Sequence, residues 1–65
     1  MNDEKLNISN RKFLKNVGIT SQRKIEEKIR DSNPNSSKKI KISANLLSDY
    51  LDLNEKIEGE IDIEI

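Results

Sequence analysis

The apolar residues of this chain keep one period before Pro34 and another after it, and that change limits the folds open to it. Asn10, Phe13, Leu14 and Val17, three of the four apolar, stand at i, i+3, i+4 and i+7, the spacing of one face of an α-helix. Beyond the proline, Ile40, Ile42, Ala44 and Leu46 alternate with Lys39, Lys41, Ser43 and Asn45, as a half-buried strand requires. The C-terminal stretch repeats that alternation. Ile57, Gly59, Ile61, Ile63 and Ile65 interleave with Glu58, Glu60, Asp62 and Glu64, and β-branched Ile suits a pleated surface. A helical half followed by a strand half is an α+β chain.

Within the helical half, Gly18 directly follows the last periodic residue. This is where a left-handed C-terminal cap belongs, with Ile19 beyond it for the accompanying apolar contact. Asn7 or Ser9 offers a side-chain oxygen to cap the start. Thr20 or Ser21 then opens a second helix, in which Ile25 and Ile29, one turn apart, are the only apolar residues. Pro34 biases Asn33 away from helical geometry, and the polar residues around it make the evident loop. Residues 47–55 leave three readings open: a wide hairpin loop, a single helical turn, or partly strand. The expected architecture is helix-helix-strand-strand in two layers, one domain over residues 1–65. It comprises a helical hairpin at about 7–31, a loop at 32–38 and an antiparallel β-hairpin at about 39–65, covered by the helical pair. Ile42, Ile61 and Ile63 are expected to be buried against Phe13, Leu14, Ile25 and Ile29.

A chain of 65 residues and 7.5 kDa is marginal as a folded monomer, because so small a domain buries only about 60% of its unfolded surface. Only 21 residues are apolar, but their periodicity argues for a folded chain. There is no cysteine and no histidine. Disulfide staples, zinc-finger spacing, thiol nucleophiles and imidazole bases are thereby excluded. The 12 basic and 12 acidic side chains leave no net charge, which argues against an overall polybasic binder of nucleic acid or membrane. The opening residues are acidic and polar with no apolar run behind them, so the expectation is a cytoplasmic protein with no signal peptide and no membrane partner.

The charges are segregated nonetheless. Residues 1–30 carry eight Lys or Arg against four Asp or Glu, and residues from 44 onward carry seven acids against Lys56 alone. The sharpest functional candidate is a helix-turn-helix on Val17-Gly18-Ile19-Thr20-Ser21, with a basic docking surface of Arg11, Lys12, Lys15, Arg23, Lys24 and Lys28. Its register is poor. Apolar residues belong six and nine places after the turn glycine, where Lys24 and Glu27 stand, so a plain helical hairpin is preferred. Free N–H groups at Thr20 and Ser21 beside Arg23 and Lys24 are a weaker anion site. Asp49, Asp52, Asn54 and Glu55 lack calcium-loop spacing, and the alternating acids of the last strand read as a solvated face. No catalytic residue, metal ligand or cofactor site is assigned, because so few apolar side chains hardly enclose a pocket.

The segment Arg11-Lys12-Phe13-Leu14-Lys15-Asn16-Val17-Gly18-Ile19-Thr20-Ser21-Gln22-Arg23-Lys24-Ile25-Glu26, with Glu58-Gly59-Glu60-Ile61 near the end, resembles the signature of a small uncharacterised bacterial family. The resemblance covers about a third of the chain and departs from the family pattern at Lys24, where an acidic residue is expected. It implies a stand-alone bacterial cytoplasmic protein and transfers no site residues. The sequence therefore leads to a non-enzymatic binding or assembly module, expected to form a homodimer by pairing its C-terminal strand across a two-fold axis. An unknown protein partner is a further option, and the alternative is a nucleic-acid-associated regulator that uses the basic helices.

Overall fold

The computed structural model describes residues 1–64. Among them are one helix, α1 (Asp3–Ser32), and two strands, β1 (Lys38–Ser48) and β2 (Leu53–Ile63). The chain divides into two compact units, Met1–Asn33 and Pro34–Ile65.

The first unit is α1, 30 residues and about 45 Å long at about 1.5 Å per residue. It starts earlier than Asn7 or Ser9. The Asn2 side chain accepts a hydrogen bond from the Lys5 backbone N–H at 3.0 Å, and Asp3 and Glu4 place negative charge in the first turn. The helix ends at Asn33, which takes the left-handed conformation (φ 49°) and donates its N–H to the Arg30 carbonyl at 3.1 Å. Pro34 follows directly and cannot continue the helix.

Two expected helices are thus one. Gly18 is an interior residue of α1 without a positive φ, and the left-handed cap assigned to it from sequence sits at Asn33 instead. The physical reason is a balance of two costs. A glycine inside a helix costs about 1 kcal/mol relative to alanine, whereas a break would leave a full set of backbone donors and acceptors to be capped afresh. The runs on both sides are rich in Lys, Arg, Leu, Glu and Gln, which favour helix, and the Gln22 side chain donates to Glu26 Oε1 at 2.9 Å one turn on.

The second unit is an antiparallel hairpin in an unbroken register. Ile40 faces Ile61, Ile42 faces Gly59, Ala44 faces Ile57 and Ser48 faces Leu53. Gly59 therefore stands in the ladder without a bulge. Because every pair is in step, alternation assigns the side chains to two faces. One face carries Ile40, Ile42, Ala44, Leu46, Leu53, Ile57, Ile61 and Ile63, together with Lys38, Ser48 and Glu55, while Leu47 lies on the other. Ile65, which alternation puts with them, lies outside the described residues.

Residues 49–52 form the turn, which decides among the three readings of the connection. The Asp49 carbonyl accepts from the Asp52 N–H at 3.2 Å, the Ser48 hydroxyl oxygen accepts from the Leu51 N–H at 3.3 Å, and Asp52 is left-handed (φ 50°). Asp tolerates that conformation better than most residues, which suits it to closing the loop.

None of the described residues is buried. Val17, Ile25 and Ile29 on α1, and Ile40, Ile42, Leu46, Ile61 and Ile63 on the hairpin, are half-buried, while Phe13 and Leu14 are exposed. The expected burial of Ile42, Ile61 and Ile63 is corrected accordingly. A single helix and a two-stranded sheet each lack, within their own unit, the second layer that would enclose an apolar face.

Candidate interaction surfaces

At about 100° per residue, α1 distributes the candidate basic residues unequally. Arg11, Lys12, Lys15 and Arg23 fall in an arc of about 120° that also takes in Lys5 and Arg30, on the side away from Phe13, Leu14 and Val17. Glu4, Glu26 and the apolar Ile8, Ile19 and Ile29 share that arc. Lys24 and Lys28 fall with the apolar stripe instead. The helix thus brings together four of the six residues singled out from sequence and separates two. It also removes the turn at 17–21 and the second helix start, so neither the helix-turn-helix nor an anion site at Thr20 and Ser21 is present.

The hairpin has a different electrostatic order. β1 holds Lys38, Lys39 and Lys41 and no acid, whereas β2 holds Glu55, Glu58, Glu60 and Asp62 with Lys56. The strands carry formal charges of +3 and −3. On the polar face the register sets Lys39 opposite Asp62 and Lys41 opposite Glu60. The Lys39 Nζ to Asp62 Oδ1 distance is 4.0 Å, and Lys56 Nζ meets Glu58 Oε1 at 3.2 Å along β2. All four side chains are more than half exposed, and exposed pairs of this kind contribute about 0–1 kcal/mol. These contacts select register more than they stabilise it.

Each strand has one neighbour in the sheet, so each offers an outer edge of backbone donors and acceptors to an added strand. An open hollow lies around Ile42 and Gly59, lined also by Lys41, Ser43, Lys56, Glu58 and Glu60. Its lining comes from both faces of the hairpin, so it is not an enclosed cavity. The acids of the turn make no cation cage: among the described residues no three potential metal ligands cluster. Sequence reasoning missed Leu53, which closes the apolar face beside the turn. Its signal was parity, because Leu53 is an even number of residues from Ile57.

A long helix followed by a charge-laddered antiparallel hairpin defines a small α+β protein. More particularly, the chain belongs to DUF6494, a family of unknown function, whose pattern matches residues 1–64. No curated protein and no solved structure matches it.

Proposed function

We propose that this chain is a non-enzymatic assembly module that acts in the cytoplasm by associating with further copies of itself. The observation that carries this reading is that none of the described residues is buried, although both the helix and the hairpin carry an apolar side. α1 presents Leu6, Phe13, Leu14 and Val17 along one side, and the hairpin presents an apolar face about 11 residues long on each strand. A domain of this size does not offset its ordering entropy with half-exposed side chains, and the general remedy is a core shared between copies. Stripe and face are the surfaces that such a core uses. No described helix is long and apolar enough to cross a membrane, and the near-balance of charge favours self-association over a polybasic target.

Sedimentation equilibrium over a range of micromolar concentrations tests the proposal. A mass above 7.5 kDa that rises with concentration, with thermal unfolding that rises in step, is the expected result. A stable 7.5 kDa species with concentration-independent unfolding overturns it.

The second reading, a nucleic-acid-associated regulator, now rests on the basic side of one continuous helix. Arg11, Lys12, Lys15 and Arg23 would contact phosphates along that side. A mobility shift that weakens steeply with salt is its test, and the absence of a shift at low salt removes it.

A further inference from the structure

We infer that copies of this chain join head to tail, with the outer edge of β1 in one copy taking up the outer edge of β2 from the next. The inference rests on the self-association proposed above and names its seam. β1 is a strand of +3 charge with no acid, and β2 is a strand of −3 charge. Two-fold pairing of β2 with β2 would run two −3 strands side by side, and β1 with β1 would do the same with two +3 strands. Like charges facing each other across a ladder are destabilising. Only the unlike seam is neutral.

The hairpin itself shows that these two sequences fit. On its inner edge, β1 holds residues 53–63 antiparallel over 11 consecutive pairs, with every apolar residue but Leu47 on one face. A second copy brings the same sequence to the outer edge of β1. In an equivalent register Lys39 and Lys41 then lie between acidic side chains on both sides. The apolar face continues across the seam, because a register of the same parity keeps Ile40, Ile42, Ile61 and Ile63 on one side of the enlarged sheet. Each copy contributes one β1 edge and one β2 edge, so the contact is heterologous. Assembly stops only where a ring closes, and a pair of copies still leaves two edges open.

The direction of the salt dependence decides the matter, because the unlike seam weakens as charges are screened and either like seam strengthens. Sedimentation of the full chain is followed between about 0.01 M and about 1 M sodium chloride, over which the Debye length falls from about 30 Å to about 3 Å. The association constant is expected to fall at least about tenfold. Synthetic peptides of residues 38–48 and 53–63, each added in excess to the full chain, place the effect. Both are expected to lower the assembly mass, since each caps one of the two edges. Association that strengthens with salt, a mass fixed at two copies, or capping by one peptide or neither overturns the head-to-tail seam while self-association stands. A monomer throughout overturns both.

Discussion

Ile42 and Gly59 stand opposite each other across the hairpin, a branched side chain facing none. Gly59 does not have a positive φ, and a Cβ built on it meets nothing within 4 Å. Neither backbone geometry nor crowding within the chain therefore requires glycine there. Glycine in a strand forgoes packing and loses more backbone entropy than other residues. Gly59→Val should stabilise the hairpin by about 1 kcal/mol and raise the midpoint of thermal unfolding followed by circular dichroism. A lowered midpoint would show that Gly59 admits a close neighbour from another copy.

Gly18 gives a test whose sign separates two conformations. In the interior of α1, with open space around its Cα, Gly18→Ala should stabilise the chain by about 1 kcal/mol and increase its helical signal. A glycine in the left-handed cap of a helical hairpin would respond the other way, because alanine is strained there. Loss of helical signal in Gly18→Ala would restore the two-helix architecture.

That contrast marks what was legible in the sequence. The strands were readable because alternation is a two-residue signal that each Ile reinforces, whereas the ladder of Lys39 and Lys41 against Asp62 and Glu60 needed the register that the structure supplies. The helix count was not readable from Gly18. A glycine after Val17 marks a cap or an interior position equally well, and what decides is the helix-forming strength of the residues on both sides. Asn33 carried the stronger stop signal, a residue tolerant of positive φ directly before a proline, and Asn2 before Asp3 and Glu4 carried the stronger start. The six basic residues were identifiable by charge, but their division between two sides of α1 depends on an unbroken count of 100° per residue, and a break at Gly18 would have reset it.

Asp52 holds φ 50° at the end of the four-residue turn, where the side chain of an L-residue is crowded against its own backbone. Glycine takes that conformation without the penalty. Asp52→Gly should therefore stabilise the hairpin by about 0.5–1 kcal/mol, and Asp52→Val should destabilise it by a comparable amount or more. Equal unfolding midpoints for the two variants would mean that the turn does not hold Asp52 in the left-handed region.

The pair Lys39 and Asp62 separates ladder charge from ladder stability. Their side chains are 72% and 67% exposed with 4.0 Å between the charged atoms, so water screens most of their attraction. A double-mutant cycle of Lys39→Met and Asp62→Asn should give a coupling of no more than about 0.5 kcal/mol within the hairpin, measured at a dilution where copies are separate. The same two substitutions should act differently on association. Each lowers the charge of one strand by a third, so each should weaken the unlike seam, and the reduction should shrink as salt is raised. A large coupling at high dilution would mean that the ladder is committed to holding the hairpin together. Association unaffected by either substitution would mean that the charged edges are not where copies meet.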